Sequence, residues 1–280
     1  MFDGVHRGHK SMLQSLSDNH PPLVFTFANH PLSVINPDLA PKLLTTPNEK
    51  SRLLQSLGMQ VVMLNFDNNI RSLTAEEFMC RLRDDHSVST LVLGFNNRFG
   101  SDRHLSFDDY VAIGHRLSVN VRRAPEFLHD DKHPVSSSAI RRALAEGRVN
   151  FAAELLGRPY SIAGIVEHGN RVGHSIGFPT ANIGSIDHNK IQPLNGVYAV
   201  DALLPDGLIK RAIVNIGNRP TLNDGRESTI EAHIIDYDAD LYGLPIEIRF
   251  LRRLRDEKRF PSLDALAAQL TADRLKALSL

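Results

Sequence analysis

The texture of the chain changes once, near Gly157. Before that point, short apolar runs alternate with helical patterns. PLVFTFA (22–28), QVVMLNF (60–66) and STLVLGF (89–95) are rich in aliphatic and aromatic residues, and SVNVRRA (118–124) is a weaker fourth run. Between them the spacing predicts helices over 47–57, 74–85 and 106–117. Thr46 stands before Pro47 with Glu49 three residues on, the spacing of a capping box. Ser106 is followed by Asp108 and Asp109, acids suited to a first helical turn. Apolar strands alternating with helices predict a parallel α/β sheet covered on both faces. Residues 136–156 read as two short helices around Gly147. Beyond Gly157, segments 159–168, 196–204, 208–217, 228–237 and 245–251 are short and β-like, separated by Gly, Pro, Asn and Asp. Strands at that spacing predict an antiparallel barrel, closed off by an amphipathic helix over 262–278. Two domains are therefore expected, residues 1–157 and 158–280.

The chain is long enough for both, with 280 residues of which 42% are hydrophobic. Lys and Arg together number 32, as do Asp and Glu, so the net charge is zero. That balance offers no general attraction to nucleic acid or to an anionic membrane, and neither is expected as a partner. Binding of phosphates must then come from local sites. Cys80 is the single cysteine, which excludes an intramolecular disulfide and a cysteine-based zinc site. It reads as an inert buried thiol. No apolar run approaches the roughly 20 residues that cross a bilayer, and MFDGVHRGHK has no apolar signal core, so a cytoplasmic protein is expected. Oligomeric state is not legible.

Three constellations bear chemistry. His6, Gly8 and His9 form an H-x-G-H group ahead of a helical run. Backbone N–H groups at such a helix start attract phosphate, and imidazoles there can stabilise charge that develops on transfer. The plain alternative is a turn carrying two surface histidines. In HGNRVGHSIGFPTANI (168–183), Gly169, Gly173 and Gly177 make a loop able to wrap phosphates. Thr180 and Asn182 follow, two positions apart, so in an extended segment they point the same way. Both are neutral oxygen donors of the kind Mg²⁺ accepts beside nucleotide phosphates. The alternative is a β-turn with a polar tip. Third, TIEAHIID (229–236) alternates, with Ile230, Ala232 and Ile234 on one face and Glu231, His233 and Ile235 on the other. By itself Glu231 reads equally as an exposed strand carboxylate.

FDGVHRGH, VFTFANHP, LLTTPNEK, LVLGFNNRFG and VSSSAIRRAL, in that order, resemble the first module of the bacterial bifunctional riboflavin kinase/FAD synthetases. GFPTAN, NGVYAV, NIGNRPT, IEAHIID and LRDEKRF resemble the second, a riboflavin kinase. The resemblance implies a nucleotidyltransferase-like, Rossmann-like α/β domain followed by a small antiparallel β-barrel with a C-terminal helix. It implies two reactions, ATP with riboflavin giving FMN, and ATP with FMN giving FAD. In the first module His6, Gly8 and His9 would meet the ATP phosphates, joined by Ser137, Ser138 and Arg141. Hydroxyls at a helix start with an Arg fork make an anion clamp, although Ser136–Ser138 equally read as helix capping. In the second, Gly169 and Gly173 would meet ATP, Thr180 and Asn182 would hold Mg²⁺, and Glu231 would be the catalytic carboxylate. Arg255 and Asp256 would lie near the flavin ring, unless 252–259 (RRLRDEKR) is simply a solvated charge run. The partners implied are small molecules: riboflavin, FMN, FAD and ATP.

The departures from the family pattern lie in the first half. No strand precedes FDGVHRGH, so the chain opens within the first motif. Ala28 stands where the family has an acid, and Asn96 where it has Gly-x-Asp. Two readings follow: a longer natural chain with Met1 internal to it, or a kinase-only or flavin-binding regulatory protein with a degraded first module.

Overall fold

The computed structural model describes residues 1–16, 22–95, 97–102, 104–129, 133–167, 178–219 and 227–280. The chain divides into two compact units, Met1–Ser136 and Ser137–Leu280.

In the first unit the order is α1 (Arg7–Gln14), β1 (Leu23–Phe27), α2 (Leu32–Ile35), α3 (Pro47–Gln55), β2 (Gln60–Leu64), α4 (Asn68–Ser72), α5 (Ala75–His86), β3 (Thr90–Leu93), α6 (Phe107–Arg116), β4 (Asn120–Arg123), and the short pair β5 (Leu128–His129) and β6 (His133–Pro134). β1 pairs with β2 in parallel, and β3 with β4, as the apolar runs predict. Helix starts are set by side chains. Thr46 Oγ1 accepts from Glu49 N at 3.2 Å, and Glu49 Oε2 accepts from Thr46 N at 2.9 Å. The same reciprocal box opens α5 at Thr74 and Glu77 and α6 at Ser106 and Asp109. Such caps contribute about 1 kcal/mol each by satisfying N–H groups that the helix leaves unpaired. Two apolar clusters form. Phe2, Val5, Leu13, Val24 and Leu54 pack together, and Met79, Leu93, Tyr110, Ile113 and Val121 form the second. Cys80 is half-buried against that second cluster.

The second unit begins with α7 (Ser137–Ala145) and α8 (Val149–Leu156). It continues through β7 (Tyr160–Glu167), β8 (Ala181–Gly184), β9 (Gly196–Leu203), β10 (Ile209–Arg219), β11 (Glu227–Ile234), β12 (Pro245–Arg255) and α9 (Leu263–Leu278). The six strands close into an antiparallel barrel in the order β10-β11-β8-β7-β12-β9. Strand alternation sorts the side chains. Val214, Ile216, Ile230, Ala232, Ile248 and Phe250 point inward and are buried. Val197, Ala199 and Ile213 point outward, where α9 covers them with Ala277. The outer face of the barrel is thus dry where α9 lies and polar beyond it. The helix pair is joined by Gly147, whose φ of +73° suits a residue without a side chain. An added Cβ there would meet Arg253 Cδ at 2.6 Å.

Candidate active sites

Register places the second-unit residues. Glu231 on β11 pairs directly with Asn182 on β8 and, on its other side, with Asn215 on β10. Residues paired across strands share a face with Cβ atoms about 5 Å apart. Their neighbours Ile230, Ala232 and Ile183 are buried inside the barrel, so Asn182, Glu231 and Asn215 form an outward polar row. Thr180 is exposed two residues before Asn182 and shares its parity. The approach is pinned by His233, whose Nδ1 donates to the Pro179 carbonyl at 2.9 Å and whose ring meets Phe178 edge-on at 5.1 Å. Thr180, Asn182 and Glu231 therefore converge on one patch of the outer face. Glu167 pairs with Asn182 on the far side. Its carboxylate instead folds over Gly184 and accepts from Ser185 Oγ at 3.0 Å.

Arg255 and Asp256 close β12. Arg255 Nε donates to Asp273 Oδ2 at 2.9 Å, and Asp273 is fully buried on α9. Gln269 Nε2 donates to the other oxygen of Asp273, also at 2.9 Å. Arg255 is thus committed to holding α9, with its guanidinium over Phe260. Asp256 accepts from Arg253 Nη2 at 2.6 Å. Arg255 is therefore more than a solvated charge, whereas Asp256 stays largely exposed. Gly169, Gly173 and Gly177, with His168 and His174, lie outside the described residues, as does Asn96.

In the first unit His6 caps α1, its Nδ1 accepting from His9 N at 3.3 Å. The two rings stack with centroids 3.6 Å apart and an interplanar angle of 15°. Gly8 leaves room for this, since a Cβ there would sit 3.3 Å from the His6 ring. Beneath them lies a buried polar cluster that sequence reading did not single out. The Asp3 carboxylate accepts from Leu44 N at 3.0 Å and from Thr45 N at 3.1 Å. Thr45 Oγ1 accepts from Gly4 N at 3.0 Å. Lys50 is fully buried, and its ammonium donates to the Phe27 carbonyl. These contacts tie FDGVHRGH to the TTPNEK segment, about 40 residues away. No local pattern marked them: Lys50 sits in the polar helix start PNEKSR and Asp3 in a short turn, and only the fold buries both.

Burial and then nearby cations, His6 and Lys50 among them, hold the His9 imidazole well below its usual 6.5, so it is neutral near pH 7. Burial also pushes the Lys50 ammonium down, and the Asp3 charge opposes that shift. His9 Nδ1 is buried without a hydrogen-bond partner among the described residues. Ser137 and Ser138 open α7, and Arg141 follows one turn later on the same side. No group of three His, Cys, Asp or Glu suited to a metal ion occurs among the described residues.

A nucleotide-type α/β unit joined to a closed barrel with an acid–amide row on its wall describes a two-module transferase. The match to known families agrees. Residues 1–139 match the FAD synthetase family and residues 156–280 the riboflavin kinase family. The chain is 38% identical to the bifunctional riboflavin kinase/FMN adenylyltransferase of Escherichia coli, over 99% of this chain and 89% of that protein. It is 35% identical to the one from Bacillus subtilis, over 99% of this chain and 89% of that protein. A solved structure from Streptococcus pneumoniae, described as a macrolide-efflux protein, superposes with a TM-score of 0.90 at 33% identity, covering 100% of this chain and 92% of the other. The chain belongs to the bifunctional riboflavin kinase/FMN adenylyltransferase family and carries a module for each activity. Among the described residues no helix is long and apolar enough to cross a membrane.

Proposed function

We propose that the kinase reaction runs on the outer wall of the barrel, with Glu231 accepting the proton of the ribityl 5′-hydroxyl. As that proton leaves, the hydroxyl oxygen bonds to the γ-phosphorus of ATP and the bond to the bridging oxygen breaks, releasing ADP. Thr180 and Asn182 hold the nucleotide's Mg²⁺ through neutral oxygens. This donor set fits a metal that arrives with its phosphates, since Mg²⁺ keeps most of its shell for water and phosphate. When bound, the ion neutralises charge on the transferring phosphoryl group. The resemblance gives Gly169 and Gly173, outside the described residues, the part of binding ATP. Arg255 and Asp256 frame the flavin side, Arg255 by fixing α9. The observation that supports this reading is the direct cross-strand pairing of Glu231 with Asn182.

Adenylyl transfer to FMN belongs to residues 1–157. His6, Gly8 and His9 meet the triphosphate, and the family resemblance gives Ser137, Ser138 and Arg141 an anion-binding part in the same reaction. A neutral His9 donates a hydrogen bond to phosphate without a charge to desolvate. The chemistry divides near residue 157, leaving 158–280 for the kinase.

The decisive variant is Glu231→Gln. FMN formation is expected to fall roughly a hundred-fold or more while riboflavin binding, followed by flavin fluorescence, stays within a few-fold. Unchanged turnover would falsify the role of Glu231.

A further inference from the structure

Asn215 occupies the third place in the row formed with Asn182 and Glu231. It is half-buried on β10, between the outward Ile213 that α9 covers and Gly217. Its amide is held from outside the barrel wall. Asn215 Nδ2 donates to Glu257 Oε1 at 3.3 Å, and Glu257 comes from the segment between β12 and α9. The carboxylate reaches there only because Gly217 lacks a side chain, since a Cβ at that position would lie 2.3 Å from Glu257 Oε1. Thr229 Oγ1 donates to the Gly217 carbonyl at 3.4 Å, which marks the next outward position along the ladder.

This arrangement has the form of a built device. An exposed carboxylate is folded across a bare stretch of strand to fix one neutral amide. With Nδ2 turned to Glu257, Asn215 Oδ1 has no partner among the described residues. It sits one strand from the Glu231 carboxylate, on the same face. A polyol approaching Glu231 meets an amide oxygen able to accept from one hydroxyl and an N–H able to donate to another.

We propose that Asn215, oriented by Glu257, is a positioning residue that aligns the ribityl chain so that its terminal alcohol faces Glu231. This role builds on Glu231 as the proton acceptor, yet the two are separable by experiment. Asn215 acts on the vitamin and not on the nucleotide, so its loss falls on one substrate alone. Because Glu257 acts only through Asn215, removing Glu257 forfeits part of what removing Asn215 forfeits in full, and adds nothing once Asn215 is gone.

The test measures steady-state FMN formation by the full-length protein, varying riboflavin and ATP separately, for Asn215→Ala, Glu257→Ala and the double variant. Asn215→Ala is expected to raise the KM for riboflavin about ten-fold with the KM for ATP within two-fold. Glu257→Ala is expected to raise it about three-fold. The double variant is expected to match Asn215→Ala. FAD formation from supplied FMN stays unchanged in all three. A riboflavin kcat/KM within two-fold of the parent for Asn215→Ala overturns the role, as does an equal rise in the KM for ATP. Effects of the two single changes that multiply in the double variant also overturn it. Glu257 is exposed, so its variant tests the proposal even where Asn215→Ala does not fold, and there an unchanged riboflavin KM is decisive against it. Glu231→Gln is measured alongside. If it keeps full turnover while Asn215→Ala loses riboflavin affinity, the proton-acceptor reading falls and the alignment role of Asn215 stands.

Discussion

His9 is the residue whose environment departs furthest from what its type prefers. Its imidazole is neutral in the folded protein because burial and then neighbouring cations disfavour the proton. The unfolded chain has no such restraint and binds that proton near the ordinary value of 6.5. The stability this residue allows is therefore complete above about pH 6.5 and is lost as pH falls towards the depressed folded value. Its contribution declines by up to about 1.4 kcal/mol per pH unit over that window. In thermal denaturation followed by circular dichroism between pH 8 and 5, His9→Gln is expected to flatten the acid side of the first unit's stability curve. Parallel curves for parent and variant would contradict it. His6, Gly8 and His9 stood out in the sequence because their pattern is local: a four-residue H-x-G-H spacing at a helix start. Two-residue alternation put Thr180 with Asn182 and gave Glu231 a face shared with His233, while the roles assigned to them came from the resemblance. Asp3, Lys50 and Asn215 were not legible. Asp3 gains meaning from Leu44 and Thr45, and Asn215 from Glu257, partners 41 and 42 residues away that only the fold brings near.

At the scale of elements, α9 has the most to lose from one side chain. Asp273 is fully buried between Arg255 and Gln269, and its charge is acceptable there because both partners donate to it. Asp273→Ala strips the guanidinium of its counter-charge and is expected to cost about 3 kcal/mol. The helix should then exchange its amide hydrogens faster, and the riboflavin KM should rise because α9 borders the outward row. Hydrogen exchange resolved to 263–278 checks the first effect, and protection equal to the parent would refute it. Element types were readable where a pattern ran long enough. The period-2 segments became barrel strands, and the capping spacings at Thr46 and Ser106 became helix starts. Thr74 with Glu77 offered the same signal and was passed over. The barrel itself was readable from strand spacing, but its strand order was not, because closure depends on β10 and β12 both pairing with β9, and no local pattern states that.

For the whole molecule, the change of texture at Gly157 and the division of the fold at Ser136 mark different things. Texture reports which element type begins. Burial reports where a helix finds its apolar partners. Ile140, Leu144, Leu155 and Leu156 on the α7–α8 pair are each no more than 2% exposed, and α8 packs with β12 and β7 of the second unit. Covering four such side chains stabilises the unit by several kcal/mol, at about 1.5–3 kcal/mol each. A fragment of residues 137–280 is therefore expected to melt cooperatively and to make FMN. Residues 158–280 alone, with that barrel surface uncovered, are expected to melt at least 10 °C lower or to aggregate. Equal melting temperatures for the two fragments would show that the helices add nothing.

Along β10 and β11, odd and even positions answer to different masters. Ile230, Ala232, Val214 and Ile216 are fixed by the close-packed interior, whereas Asn215, Glu231 and His233 lie on the outward face. On the proposed reading of that face, natural selection can revise which vitamin-like alcohol is accepted, letter by alternate letter, without disturbing the half of the text that keeps the protein folded. A combinatorial library confined to those odd positions explores new chemistry on a scaffold whose melting behaviour hardly moves.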